Sequence, residues 1–171
     1  MILCEDRQQE VFARHFLESC GVDRNKIYPK VCPRGKQAGE QYVRDRYPHE
    51  VVSYRRVSHR LSAGLVVITD ADAGEVADRI RQLETIMQAS GVRPRGPAER
   101  IGIFIPRRNI ETWIYFLMGQ SVDENSIYPK LQLESECIPQ VKNLAVHRNQ
   151  PLEDDAPPSL QAGCLELSRI L

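Results

Sequence analysis

The most informative stretch of this chain reads Leu65-Val66-Val67-Ile68-Thr69-Asp70-Ala71-Asp72-Ala73-Gly74. Its first five residues are apolar or β-branched, which predicts a strand buried on both faces, as in a parallel sheet. Two aspartates follow that strand, separated by a single alanine. In open parallel sheets, ligands bind at the carboxyl ends of the strands. The stretch therefore predicts an α/β fold with an acidic site at the end of a central strand.

Strands and helices alternate on both sides of this stretch. Short apolar runs predict three further strands, over Met1–Cys4, Ile27–Val31 and Ile101–Ile105. The second is expected at a sheet edge, because its proline cannot donate to a neighbour. Apolar residues at three- and four-residue spacing predict helices over about Val11–Cys20, Glu40–Leu61, Glu75–Ser90 and Asn109–Met118. The alternation predicts a Rossmann-like α/β domain over residues 1–119, with a mostly parallel four-stranded sheet flanked by helices.

The last third of the chain has a different character. Beyond Gly119 no strand pattern recurs, and two weaker helical patterns cover Glu136–His147 and Ser159–Ile170. An acidic segment with two prolines, Glu153–Pro158, separates them. We therefore expect residues 120–171 to form a helical C-terminal extension packed on the same domain.

Length and composition exclude several classes of protein. The chain has 171 residues, 42% of them hydrophobic, with 23 basic and 23 acidic side chains, which argues against a basic coat protein and an acidic tail protein. It has no apolar run long enough to span a membrane. Its five cysteines are scattered without a Cys-x-x-Cys pair, which argues against a zinc knuckle or a disulfide framework. We expect a cytoplasmic protein without a membrane segment.

The balanced charge is unevenly distributed along the chain. Residues 24–60 contain ten basic and three acidic side chains, whereas residues 120–171 contain four basic and eight acidic ones. A basic block of this kind predicts contact with nucleic-acid phosphates; the alternative is a solvated helix that pairs with the acidic tail. The candidate nucleic-acid contacts, including two arginines after the fourth strand, are Arg34, Lys36, Arg55, Arg56, Arg60, Arg107 and Arg108.

Three carboxylates are expected to meet at one edge of the sheet. Glu5 follows the first strand, and Asp70 and Asp72 follow the third. Neighbouring carboxylates repel each other unless a cation or a proton is shared between them. Oxygen ligands select Mg²⁺ or Mn²⁺. We predict that Glu5, Asp70 and Asp72 are the ligands of a divalent metal ion; the alternative for the aspartates is a pair of helix N-caps that face solvent.

A metal site of this kind that transferred phosphoryl groups would also need cations near the leaving oxygen. The candidates for this catalytic role are Lys36, in a loop between two glycines, and Arg107, with its neighbour Arg108. Glu111 is a further candidate acid, and its alternative role is a favourable interaction with the dipole of its own helix. The alternative for Lys36 is an ordinary exposed loop lysine.

The glutamate after the first strand and the Asp-x-Asp after a later buried strand resemble the Toprim domain of primases, topoisomerases and OLD-family nucleases. The resemblance covers about residues 1–119. It implies phosphodiester chemistry, with Glu5 as general acid or base and metal ligand and Asp70 and Asp72 as holders of a divalent ion. The chain departs from the nuclease pattern at Asp6, where glycine is usual, and at Gln9, where many OLD-type nucleases have a second glutamate.

The segment Ile105–Trp113 is similar to small stand-alone Toprim-like proteins of bacterial defence loci, often encoded beside an ATPase. This resemblance implies a nuclease that cleaves DNA or RNA as the effector of a defence system. It also implies an ATPase partner. Both a homo-oligomer and a hetero-oligomer with that partner are compatible with this resemblance.

Two other functions compete with a nuclease. A catalytically silent Toprim module would bind a partner protein or nucleic acid, and Gln9 and the small size of the chain favour it. A phosphatase of the haloacid dehalogenase type also uses Asp-x-Asp after a strand. Its first aspartate lies near the N-terminus, whereas Asp70 lies in the middle of this chain.

Overall fold

The computed structural model of the chain describes residues 1–35 and 37–171. Its strands are β1 (Ile2–Cys4), β2 (Pro29–Val31), β3 (Leu65–Ile68) and β4 (Ile101–Phe104). Its α-helices are α1 (Arg7–Ser19), α2 (Gly39–Ser58), α3 (Val76–Ala89), α4 (Ile110–Leu117), α5 (Ile138–Val146) and α6 (Pro158–Leu167). Two short 3₁₀ turns cover Arg24–Lys26 and Glu134–Cys137. No helix in the described part of the chain is long and apolar enough to cross a membrane.

The four strands form one parallel sheet in the order β2-β1-β3-β4. This confirms the predicted α/β class with a parallel sheet flanked by helices. The strand predicted from Ile27 begins only at Pro29, because the Ile27 amide bonds to the Arg24 carbonyl of the preceding 3₁₀ turn. The strand remains at an edge of the sheet, where a proline costs no ladder hydrogen bond.

Successive strand residues point to opposite faces of the sheet, so each face carries its own apolar layer. One face packs against α1, α4, α5 and α6 through Ile2, Cys4, Val66, Ile68 and Phe104. The other packs against α2 and α3 through Leu3, Leu65, Val67, Ile101 and Ile103. Both faces of β3 are therefore buried, which explains its uninterrupted apolar sequence.

Residues 120–171 contribute to the first of these apolar layers. Val141 of α5 and Leu160 of α6 lie in the same buried cluster as Phe12 and Trp113. The Trp113 indole N–H donates to the Ser159 hydroxyl at 2.7 Å, so the polar atom of this buried ring is satisfied. The last two helices complete a core that begins with α1 and the sheet.

The C-terminal helix also covers the β4 edge of the sheet. Glu166 of α6 accepts a hydrogen bond from the Ile103 amide at 2.9 Å. Arg95 donates to the Ile101 carbonyl at 2.9 Å and forms an ion pair with Glu166. Backbone groups that a fifth strand would otherwise bind are satisfied by these side chains, which protects the edge from pairing with another chain.

Candidate functional site

The order of the strands creates a crevice at the carboxyl end of the sheet. From β1 the chain crosses to β2 on one side and then returns to β3 on the other. The loops that follow β1 and β3 diverge, and open α/β sheets bind ligands at such a switch point. Glu5 comes directly after β1, and Asp70 comes two residues after β3. The strand order therefore brings together the first two of the three predicted carboxylates.

The Glu5 carboxylate is fixed by contacts on two sides. Its Oε1 accepts hydrogen bonds from the Thr69 hydroxyl at 2.5 Å and from the Asp70 amide at 2.8 Å. The first residue of α2, Gly39, lies against the side chain, and a Cβ there would come within 2.7 Å of the Glu5 Cβ. Only glycine leaves room for Glu5 at this approach.

Gln9 joins the two carboxylate residues. Its Oε1 accepts from the Glu5 amide at 2.9 Å, and its Nε2 donates to Asp70 Oδ1 at 2.9 Å. The amide orientation follows from chemistry, because the Glu5 N–H can only donate and must therefore face the oxygen of Gln9. Gln9 is fully buried. The residue that departs from the nuclease pattern is thus part of the site itself.

Burial makes the ionised forms of the two acids of the site unfavourable. Burial raises the pKa of Glu5 to about 7, even though its two hydrogen bonds favour the ionised form. Burial, followed by the charges of Glu5, Asp6 and Glu111, raises the pKa of Asp70 well above its ordinary value. Such shifts occur where acids share a site without enough cations, and they are common at functional sites.

Asp72 has a different environment from the other two acids. It lies in the left-handed region of backbone space, with φ of 54°, and its carboxylate accepts a hydrogen bond from Arg79 at 3.1 Å. The buried Arg79 also donates to the Asp70 carbonyl at 2.9 Å and pairs with Glu40. Among residues 1–35 and 37–171, no three His, Cys, Asp or Glu side chains converge closely enough to hold a metal ion. The structure thus brings Glu5 and Asp70 together, while Asp72 pairs with Arg79.

A cleft of about 350 Å³ opens beside Glu5. Asp6, Glu111, Arg34 and Lys130 also line it. Glu111 is 1% exposed, and its Oε1 has no hydrogen-bond partner within the described residues. Burial raises its pKa. The predicted candidate acid Glu111 therefore lies in the cleft with an unsatisfied buried oxygen.

The two arginines after β4 hydrogen-bond to the backbone of the loop that follows β3. Arg107 donates to the Gly74 carbonyl at 3.1 Å and pairs with Glu75. Arg108 donates to the Asp72 carbonyl at 2.8 Å and to the Asn125 carbonyl at 2.9 Å. In this conformation both hold the segment after β3 in place, and neither lines the cleft.

The basic residues late in α2 lie far from the cleft. Arg56 is seventeen positions after Gly39, which at 1.5 Å per residue places it about 25 Å along the helix. Arg55 is paired with Glu99 at 2.6 Å, and Arg56 and Arg60 are exposed. Of the predicted nucleic-acid contacts, only Arg34 is seen to line the cleft, and Lys36 lies outside the described residues.

Four residues of the site were not identified as functional from the sequence. Thr69 was assigned to the strand, although its position directly before Asp70 is a usable signal. Gln9 was noted only as a departure from a pattern. Arg79 and Lys130 carried no signal, because their partners are distant in sequence and are brought together only by folding.

The chain matches no protein-family model, no curated protein and no solved structure.

Proposed function

We propose that this protein is a Mg²⁺- or Mn²⁺-dependent nuclease that hydrolyses phosphodiester bonds of DNA or RNA. The observation that carries the proposal is the pairing of Glu5 and Asp70 at the switch point of a parallel sheet. The two residues are joined by Gln9, and Glu5 lines the adjacent cleft. The resemblance to Toprim nucleases supports the same assignment.

The residues present suit a divalent cation. The donors are carboxylate oxygens, which Mg²⁺ and Mn²⁺ prefer. A bound cation would also offset the cost of ionising these two acids, whose pKa values are raised first of all by burial. Glu5 and Asp70 would hold it, with Asp72 joining after its side chain turns from Arg79. When bound, the ion would offset negative charge on the phosphate.

Glu5 is suited to moving a proton in this reaction. Its carboxylate lines the cleft, and in the metal-free protein burial raises its pKa to about 7, a value that a bound cation would lower. During hydrolysis the water oxygen bonds to phosphorus and its proton passes to Glu5. The bond from phosphorus to the departing sugar oxygen breaks, and that oxygen takes a proton from solvent. Glu5 then releases its proton to solvent, which balances the reaction.

The test is cleavage of labelled DNA and RNA with Mg²⁺ or Mn²⁺. We expect the Asp70→Asn/Asp72→Asn variant to lose at least about 100-fold in rate, within the range for acid–base and charge-stabilising groups. The control is Asp154→Asn/Asp155→Asn, which changes two adjacent exposed aspartates and leaves cleavage intact. Equal cleavage by the wild type and the Asp70/Asp72 variant would refute the proposal.

A second candidate is a catalytically silent module that binds nucleic acid or a partner. Its supporting observation is that Gln9 donates to Asp70 where a carboxylate would supply a further ligand, while Asp72 pairs with Arg79. Binding of labelled oligonucleotides without cleavage, under every metal condition and with the neighbouring gene product added, would favour this function.

A role as a defence effector with an ATPase partner rests on the resemblance alone. The test is co-purification with the product of an adjacent ATPase gene, followed by cleavage assays with and without ATP. An adjacent ATPase that neither binds the chain nor changes its cleavage would remove this part of the proposal.

A further inference from the structure

A segment of the C-terminal extension crosses the carboxyl edge of the sheet. We call this segment, residues 120–134, the strap. Arg108 donates to the Asn125 carbonyl at 2.9 Å, and Asn109 donates to the Tyr128 carbonyl at 2.8 Å. Asn109 stands at the N-cap position of α4, as predicted, but its side chain makes no cap hydrogen bond. Side chains from the end of β4 thus hold the backbone of the strap over the site.

The far end of the strap is held near β1. Gln8 donates to the Glu134 carbonyl at 3.2 Å. Between these attachments, the Lys130 ammonium lies 3.0 Å from Asp6 Oδ2. Asp6 is itself fixed, because its other carboxylate oxygen accepts from the Gln9 amide at 3.0 Å and caps α1. A residue 60 positions from Asp70 in sequence is therefore anchored beside the acids of the cleft.

Lys130 combines proximity to these acids with freedom to reach a ligand. Its side chain is 75% exposed at the mouth of the cleft. The hydrogen bond to Asp6, with the charges of Glu111 and Asp70, raises its pKa and keeps it protonated. Arg79, Arg107 and Arg108 are occupied by backbone or carboxylate oxygens, whereas Lys130 has one partner within the described residues.

We propose that Lys130 binds a phosphate of the nucleic-acid substrate at the mouth of the cleft, so that the strap supplies a positive charge to the site. This inference rests on the proposed nuclease function. A phosphate that enters this cleft meets the acids Glu5, Asp6 and Glu111 and is repelled unless cations offset their charge. Arg34 and Arg7 also line the cleft, but Arg7 is paired with Glu10. A flexible ammonium on a four-carbon chain can turn from Asp6 to the phosphate without moving the strap.

The experiment compares Lys130→Gln, Lys130→Arg and a matched control, Lys142→Gln, which removes an exposed lysine from α5. Binding of a labelled single-stranded oligonucleotide is measured by fluorescence anisotropy over a series of salt concentrations, without divalent metal. Each phosphate contact contributes about 0.7 to the slope of log K against log salt for a single strand. We expect Lys130→Gln to reduce that slope by about 0.7 and to weaken binding about 10-fold. Lys130→Arg should restore the slope, and Lys142→Gln should leave it unchanged.

Equal slopes for Lys130→Gln and Lys142→Gln would overturn the inference, as would wild-type protein that binds no oligonucleotide. Unchanged melting temperatures of the variants establish that a lost slope is not caused by unfolding. If the wild type binds but does not cleave, the nuclease proposal fails while the slope still decides the role of Lys130. If it cleaves, we expect Lys130→Gln to raise KM more than it lowers kcat.

Discussion

Two edges of this sheet each place a glutamate against a backbone amide, with opposite electrostatic results. At the β4 edge, Glu166 accepts from the Ile103 amide at 2.9 Å. At the carboxyl edge, Glu5 accepts from the Asp70 amide at 2.8 Å. Burial alone would raise the pKa of Glu166, but the hydrogen bonds from Arg95 and the Ile103 amide outweigh burial, so the pKa is lowered. Burial outweighs the hydrogen bonds of Glu5, and its pKa is raised to about 7.

The difference comes from the balance between burial and direct ion pairs, because Glu166 is paired with two guanidinium groups, whereas the charge of Arg79 only partly offsets the burial of Glu5. Glu166 forms ion pairs with Arg95 and Arg169, so its charge is compensated within the fold. Glu5 has hydrogen-bond donors of its own but shares its surroundings with Asp70 and Asp72. The β4 edge is closed by paired charges, whereas the carboxyl edge retains charge that a ligand could compensate.

The largest expected effect comes from making the same substitution at both edges. Glu166→Gln should lower the free energy of unfolding by about 2 kcal/mol, because it removes charge-assisted hydrogen bonds and leaves Arg95 without its partner. Glu5→Gln keeps an oxygen that accepts from Thr69 and Asp70 and removes a charge that burial makes unfavourable. Above pH 7 the free energy of unfolding should therefore be unchanged or higher. Urea denaturation measures both. Similar destabilisation by the two variants would show that the edges do not differ as described.

The second prediction concerns the close approach of α2 to Glu5. Gly39→Ala should destabilise the protein by about 1–2 kcal/mol, because the new Cβ would lie 2.7 Å from the Glu5 Cβ. Gly64→Ala is the control, since its Cβ would meet its nearest atom at an ordinary 3.6 Å. Thermal melting compares the two variants, and equal melting temperatures would contradict the tight packing of Glu5.

The third prediction is a dependence of stability on pH that originates at the carboxyl edge. Because folding raises the pKa of Glu5 from 4.5 to about 7, the folded state binds more protons than the unfolded state within that interval. The free energy of unfolding should therefore fall as pH rises through it, by up to about 1.4 kcal/mol per pH unit. Denaturation at several pH values should show a smaller fall for Glu5→Gln, and an identical pH profile would contradict the assignment to Glu5.

A smaller effect is expected from restoring a carboxylate at residue 9. Gln9→Glu should destabilise the metal-free protein by about 1 kcal/mol, because its donor to Asp70 at 2.9 Å becomes an acceptor. Saturating Mg²⁺ or Mn²⁺ should recover at least this loss if the site holds the ion. Gln9→Met, of similar size but without charge, is the control and should not respond to metal. An equal response of both variants in melting experiments would exclude an added metal ligand.

The smallest effect is expected far from both edges. Arg56→Gln removes an exposed charge late in α2 and should change the free energy of unfolding by no more than about 0.5 kcal/mol. Its effect on oligonucleotide affinity should be below that of Lys130→Gln. An effect as large as that of Lys130→Gln would show that the basic end of α2 belongs to the binding surface.

The fold could be predicted from the sequence because buried positions are apolar and recur at the spacing of a strand or a helix. The apolar run of β3 and the helical spacing in α1, α3 and α4 reflect which faces are covered, and the structure confirmed a parallel sheet between helices. The helix ends differ from the predicted ones by one to four residues, since terminal hydrogen bonds depend on neighbours rather than on local pattern.

The candidate site was predictable only in part. Glu5, Asp70 and Asp72 follow strands, and all parallel strands end at the same edge, so the proximity of Glu5 and Asp70 followed from order alone. The direction in which each side chain points did not follow from the order of the strands. Asp72 pairs with Arg79, which lies one helical turn into α3, and no local spacing rule connects that arginine to this particular carboxylate.

The sequence by itself determined the α/β class, the acids at the strand ends and the buried core. These features depend on the pattern of apolar residues within each strand or helix, which can be read from neighbouring positions. Tertiary structure alone placed Gln9 between Glu5 and Asp70, paired Glu166 with Arg95 at the β4 edge, and brought Lys130 to Asp6. These contacts join residues from separate elements, and the strength of each charge depends on burial that exists only after the chain has folded.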